Sequence, residues 1–361
     1  MPAMSEPITV LGGGNTAFSI AANLALRGHR ITLCDLPEFA HMLAPLDGGG
    51  AIALNGVAET GDAGMHRVTT DVAEAFGDAR LVLVPVPAYA HAAMARACAP
   101  HARDDHVIVV MPGTLGALEF ARIFREQGAA PAVLAETDTS PYVCRKTGPA
   151  EAHIWGSVNM GLGVLPASRG DEVAATMQAL FPDMTLLDHV AACGLSSMNP
   201  VMHPAGVLMN AGRIERSRGE FYFYDEGVTP GVVRVIEQID AERRALGRAL
   251  DVDLCPVADA FHRAGFGPAG DLWSTINGSR MLTQLKAPLV LENRWLTEDT
   301  PYGIATWAAL GDQLDVPTPT MDAIIALVSI VLDQDVRTSG RSLRDLGIDG
   351  LSRAQLDALL A

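Results

Sequence analysis

A chain of 361 residues is longer than one hydrophobic core ordinarily supports, so two domains are expected. Hydrophobic residues make up 49% and charged residues 19%, which excludes a disordered chain. The net charge of −16 argues against nucleic acid or an anionic membrane as a partner, since both select a basic face.

The five cysteines, Cys34, Cys98, Cys144, Cys193 and Cys255, are scattered with no metal-ligand spacing. They predict reduced thiols in a cytoplasmic protein and no metal site. The opening MPAMSEPITVLGGG lacks a basic segment followed by an apolar run, and no stretch reaches the roughly 18 apolar residues of a membrane span. Neither export nor a membrane span is expected.

Ile8 to Leu11 is a β-branched run that stops at Gly12-Gly13-Gly14-Asn15-Thr16-Ala17 and gives way to an alanine-rich helical pattern reaching about Arg27. Strand, glycine turn and helix in that order fit the dinucleotide fingerprint, with Gly12, Gly14 and Ala17 in its three small-residue roles. The amides opening the helix then face the phosphates. A second strand, Arg30 to Cys34, delivers Asp35 to its C-terminal end, where a carboxylate accepts the ribose hydroxyls and repels a 2′-phosphate. NAD is therefore the expected cofactor, with NADP also admissible.

Leu46 to Gly64, rich in glycine and alanine, reads as a variable connection, and Asp71 to Phe76 as a short helix. Leu81 to Pro87 and His106 to Gly113 are apolar runs of the kind buried on both faces of a parallel sheet, with a helix over Ala88 to Ala99 between them. Ligands of doubly wound sheets lie beyond the carboxyl ends of the strands, which places Pro87 and Pro112 beside the nicotinamide half of the cofactor. A further strand, Ala132 to Ala135, precedes a polar loop carrying Glu136, Thr137, Cys144 and Arg145, and the sheet is expected to extend to about Leu187.

Beyond that point helical periodicity dominates, giving a dinucleotide-binding domain over residues 1–189 and an all-α domain over 190–361. Thr229 and Pro230 open a helix with Val232, Val233, Ile236, Ile239, Leu246 and Leu250 inside, and Arg234, Glu237, Arg243 and Arg244 outside. Helices follow near Ile304 to Leu314 and Met321 to Leu332, and the tail reads as two short helices.

Within Met198 to Glu215, His203 is a polar point in an apolar stretch. Asn199 and Asn210 stand at i−4 and i+7, on one helical face, and Pro204 disfavours a helical conformation at His203. Imidazole titrates near neutrality and suits proton exchange with a carbonyl or amine during hydride transfer. An acidic partner is needed to fix its tautomer. Asn293 to Asp299 brings acids together with Arg294, whose fork is able to clamp a carboxylate.

The glycine turn, ETDTSPYVCR, NPVMHPAGVLMNAGRIE, FYFYDEGVTPGVVRVIEQIDAER and RWLTEDTPYG occur in an order that resembles the opine dehydrogenase (octopine/nopaline dehydrogenase) family. The bacterial N-(1-carboxyethyl)-norvaline dehydrogenase type is nearest in length and pattern. The resemblance implies a Rossmann-type doubly wound domain followed by an all-α domain like the C-terminal part of 6-phosphogluconate dehydrogenase, with the active site in the cleft between them. It implies NAD(P)H-dependent reduction of the imine formed from an α-keto acid, commonly pyruvate, and an amino acid. It further implies that His203 is catalytic with Asp299 as its partner, that Arg294 holds the keto-acid carboxylate, and that the loop containing Cys144 lines the amino-acid side; Asn199, from its spacing to His203, is a further substrate-binding candidate. A homodimer stays an open expectation. A simple keto-acid reductase of the ketopantoate reductase kind shares the plan but relies on a lysine, and Lys286 is the only lysine of residues 190–361. A non-catalytic NAD-binding sensor is the other alternative.

Overall fold

The computed structural model describes residues 7–361; Met1 to Glu6, on which the expectation about export partly rests, lie outside the described residues. The chain forms two compact units, one running to Gly194 and including Leu360–Ala361, the other Leu195–Leu359.

Among its described residues the first unit carries twelve strands in two sheets. In chain order they are β1 (Ile8–Leu11), β2 (Ile31–Cys34), β3 (Ala51–Gly56), β4 (Gly61–Gly64), β5 (Arg67–Thr69) and β6 (Leu81–Val84). Then come β7 (Val107–Val110), β8 (Val133–Thr137), β9 (Tyr142–Gly148), β10 (Glu151–Ser157), β11 (Gly161–Leu165) and β12 (Thr185–Leu186). The larger sheet has the order β12-β11-β8-β7-β6-β1-β2-β5. From β5 to β8 every pairing is parallel, whereas β11 runs antiparallel to β8. Strand order reverses between β1 and β6, the switch point where this class of sheet binds its ligand. β1, β2, β6, β8 and β11 are buried along their whole length, which explains runs as apolar as Leu81–Val84.

The connection expected over Leu46 to Gly64 instead holds β3 and β4, and the loop expected after Ala135 is part of β8 and then β9. Glu136 and Thr137 are buried strand residues, and Cys144 and Arg145 lie in β9. These strands build a second sheet, β4-β3-β10-β9. The helix after the glycine turn, α1 (Asn15–Leu26), is buried without interruption from Ala17 to Leu24. A helix buried all round has no solvent face to keep polar, and here the second sheet covers the side that the first leaves open. Asn23 inside it is satisfied by the Tyr142 hydroxyl at 2.7 Å and by the Glu59 amide at 3.3 Å. Arg27, at the end of α1, donates to the Leu180 and Ala179 carbonyls that close α3 (Gly170–Leu180), where α2 is Gly116–Glu126. A cation there offsets the negative end of the helix dipole.

The second unit is helical, with one isolated bridge between Tyr222 and Lys286. Its helices used below are α4 (Asn199–Met209), α5 (Pro230–Ala249), α6 (Arg294–Thr297), α7 (Ala305–Gln313), α8 (Pro319–Leu332) and α9 (Arg353–Leu360). Thr229 opens α5 with extended backbone but makes no side-chain capping bond. The six apolar residues assigned to the inner face of α5 are all buried. Arg243, assigned to its outer face, is fully buried: it donates to Asp240, Leu195 and Cys255. Glu242, also buried, accepts the Thr320 and Met321 amides at 2.9 and 3.0 Å and so caps α8. Of the two short helices expected in the tail, only Arg353–Leu360 forms; the residues before it make turns.

No helix among the described residues is long and apolar enough to cross a membrane. Nor, among them, is any group of three or more His, Cys, Asp and Glu side chains placed to hold a metal ion.

Candidate active site

The glycine turn leaves β1 at the switch point. Gly12 has φ +114°, a conformation that excludes a side chain, and a Cβ there would press on Val86 at 3.0 Å. A Cβ on Gly13 would collide with Met42 at 2.6 Å, whereas one on Gly14 meets no protein atom within 4 Å. Gly14 opens α1 without a side-chain cap, so the first-turn amides at Asn15, Thr16 and Ala17 are presented to a ligand and not to the protein's own oxygens. The turn therefore fits a pyrophosphate.

Asp35 ends β2 and is buried. Burial raises its carboxyl above the usual range, while the Leu36 and Gly13 amides that it accepts pull it back. It lies beside Gly13, at the carboxyl end of the second strand of the fingerprint. Pro87 and Pro112 follow β6 and β7 at their carboxyl ends, both partly exposed, and the Met111–Pro112 bond is cis.

Two residues of β9 lie against the turn. Cys144 points its sulfur at the Asn15 carbonyl, 3.7 Å away, with a thiol pushed up by burial. This puts Cys144 beside the start of α1 and not in the polar loop the sequence suggested. Lys146, which sequence reasoning missed, holds Asn15 Oδ1 through its amide and reaches the Gly13 and Met42 carbonyls with its ammonium, 3.5 Å above the Phe18 ring. Nothing in the local sequence marked it, because its strand had been read as a loop.

His203 lies inside α4, which continues through Pro204 and is not broken there. Its exposure is 8%. Nδ1 is 2.7 Å from Asp299 Oδ2 and Nε2 is 3.1 Å from the Tyr224 hydroxyl. The Trp295 ring stacks on the imidazole at 4.4 Å and 12°. Asp299 and Tyr224 stand on two short π-helical turns, Thr300–Ile304 with Asp299 just before it, and Phe223–Gly227. Ile304 N bonds back to Asp299 O, and Val228 N to Phe223 O. Such turns are uncommon and concentrate where a side chain must be re-aimed.

Two glycines let these turns approach α4. A Cβ on Gly206 would meet the Phe223 ring at 2.6 Å, and one on Gly303 would collide with Pro200. Burial raises the Asp299 carboxyl above its usual range; the hydrogen bond and charge of His203 oppose this, Glu298 adds to it and Arg294 counters it. Tyr224 is pushed well up by burial and then by the Asp299 charge, so it keeps its proton and serves as a donor.

The hydrogen bonds of the His203 ring go to Asp299 and Tyr224 and not to the asparagines placed on its face. Asn199 is exposed at the first helical position, and Asn210, just past the last, donates to the Gly206 and Gly227 carbonyls at 2.9 Å. Arg294 is 63% exposed along its side chain, with Nε 2.5 Å from Glu298. Tyr224 and Trp295 complete the histidine's surroundings without having been singled out. The aromatic run Phe221 to Tyr224 directly before the Thr229-Pro230 helix start was the available signal.

Helix-opening amides without a side-chain cap in the first unit, and a histidine backed by a buried carboxylate in the second, are the parts of an NAD(P)-dependent oxidoreductase. Over 353 residues the chain is 33% identical to the opine dehydrogenase of Arthrobacter sp. (strain 1C), covering 97% of each chain. It belongs to the opine dehydrogenase family. Residues 186–332 match the family model described as NAD/NADP octopine/nopaline dehydrogenase, alpha-helical domain. Protein ocs of Agrobacterium vitis is 26% identical, with 95% of this chain and 96% of that one covered. Among solved structures, octopine dehydrogenase with NADH and L-arginine superposes with a TM-score of 0.77 at 21% identity, over 99% of this chain and 98% of that one. That likeness bears out the expected plan of a Rossmann-type unit followed by a helical one.

Proposed function

We propose that the protein joins an α-keto acid, pyruvate in this reading, to the amino group of an amino acid and reduces the resulting imine to an N-(1-carboxyalkyl) amino acid. The observation that carries it is the His203–Asp299 pair, 2.7 Å apart and stacked on Trp295, in a member of this family. Gly12 to Ala17 and Asp35 hold the dinucleotide, which when bound in reduced form supplies the hydride. Protonated His203 polarises the carbonyl, and then the imine, toward attack. Asp299 stabilises the imidazolium that this requires. Arg294 pairs with the keto-acid carboxylate, drawing on a guanidinium that Glu298 already orients. The five unpaired cysteines support a reducing, cytoplasmic setting.

NADH consumption measured with pyruvate, with and without a panel of amino acids, tests this reading. Oxidation that depends on the amine is expected. Equal rates without any amine would instead favour a simple keto-acid reductase.

Asp35 sets the cofactor preference. Asp35→Asn removes the charge that repels a 2′-phosphate while keeping a group able to bond the ribose. The ratio of NADPH to NADH affinity, followed by nicotinamide fluorescence, is expected to rise about tenfold or more, equivalent to ~1.4 kcal/mol. An unchanged ratio removes Asp35 from that role.

A further inference from the structure

His203 has two ring nitrogens, and the reading above uses one face of that fact. Asp299 accounts for Nδ1. At Nε2, the nitrogen left to exchange a proton, the structure places Tyr224, a residue to which the reaction as written gives no part. We infer that Tyr224 is a positioning residue: its hydroxyl locks His203 in the tautomer protonated on Nδ1 and holds down the affinity of Nε2 for a proton. The inference rests on His203 being the proton-exchanging group.

The hydrogen bonds leave little choice of tautomer. A carboxylate accepts and does not donate, so the Asp299 side takes the Nδ1 hydrogen. Tyr224, 4% exposed as a residue, retains its hydroxyl proton and donates it to the Nε2 lone pair. In the other tautomer the Nδ1 lone pair would face the Asp299 carboxylate, which is repulsive. The two partners, 75 residues apart in sequence, thus specify the same proton arrangement from opposite edges of the ring.

A hydroxyl donating to Nε2 favours the neutral ring, because that bond is lost as donated once Nε2 carries a proton. When the second proton arrives the phenol O–H must turn aside, and Nε2–H then donates to the phenol oxygen or, with substrate bound, to the substrate. The phenol then acts as a rotor, and no ring atom has to move. Besides His203, the charged groups that bear on Asp299 are Glu298 and Arg294. From α5 and α8, which also flank α4, no carboxylate among the described residues comes within ion-pair distance of the imidazole.

Tyr224→Phe removes the hydroxyl and keeps the ring that packs at 5.0 Å against Phe223. The His203 titration is read by nitrogen NMR on the full-length protein without substrate, so it is independent of which amino acid or keto acid the enzyme takes. In the wild type the neutral ring is expected to show hydrogen on Nδ1 and an accepting Nε2. In the variant the titration is expected to move up by about half to one pH unit. The matching limb of the kcat/KM profile should follow it, with NADH affinity unchanged. A wild-type ring protonated on Nε2, or a titration that stays put or falls in Tyr224→Phe, overturns the inference. Should the Phe variant not fold, 3-fluorotyrosine at position 224 supplies a stronger donor of nearly the same shape. It is expected to move the titration down, and no movement overturns the inference equally. Loss of amine-dependent turnover with the titration behaving as described would count against the proposed reaction and leave the role of Tyr224 standing.

Discussion

His203→Ala is expected to lower turnover by about 10²–10⁴-fold while leaving NADH affinity near that of the wild type. The imidazole is the member of its cluster suited to gaining and losing a proton near neutrality. Tyr224 is held protonated by burial, and Trp295 does not titrate. Asp299 touches Nδ1 and acts through the ring, so its own truncation should be felt as a loss of the same proton transfer. The residues proposed for the dinucleotide belong to the other unit, which is why its affinity serves as the internal control. Pre-steady-state NADH oxidation with saturating keto acid and amine measures the chemical step directly. Asp299→Asn is expected to lose nearly as much, because an amide in place of the carboxylate no longer stabilises imidazolium. Turnover in His203→Ala within a few-fold of wild type would remove the histidine from the mechanism, whatever its surroundings.

How far the site was legible depended on whether its parts were local. The glycine turn and Asp35 are joined by a strand and a helix of ordinary length, and each element announces itself by composition, so Gly12 to Asp35 could be read directly. β3 and β4 could not. Ala51–Gly56 and Gly61–Gly64 contain little but small residues, and they are strands because β10 pairs with β3 and because α1 needs covering on its second side. β9 was hidden by its own polarity, with Arg145, Lys146 and Thr147 in succession, and Lys146 was lost with it.

The His203–Asp299 pairing spans 96 residues, and no spacing rule reaches that far. Family resemblance supplied it, and the geometry places the two side chains together. Of the two asparagines read by spacing, Asn199 is exposed at the first helical position, and Asn210 lies beyond the last, where helical phase no longer holds. The aromatic run drew attention to Tyr224, but its place beside His203 was not legible, because a π-helical turn has no periodicity of its own and depends here on Gly206 of another element.

Arg243→Met is expected to be the most destabilising single substitution outside the site, by about 3–5 kcal/mol. The guanidinium is fully buried and donates to Asp240 Oδ1 at 2.6 and 3.0 Å and to the Leu195 and Cys255 carbonyls at 2.8 and 2.6 Å. Methionine fills much the same volume, so the loss is not a cavity effect. It comes from a buried carboxylate stripped of its closest cation and from two carbonyls, the Leu195 one buried and the Cys255 one part-buried, left without their donor. Arg244, the next residue, also reaches Asp240, at 2.9 Å, and retains part of the compensation, which favours the lower end of the range. Its side chain is 34% exposed, so Arg244→Ala should cost no more than about 1 kcal/mol. Two adjacent arginines on one acid thus separate burial from charge. Urea unfolding followed by a probe in the helical unit, read as the midpoint with its slope unchanged, gives the comparison. Equal losses at the two positions would show that the interior of α5 tolerates an unpaired Asp240, and the account of Arg243 as its buried counter-charge would fail.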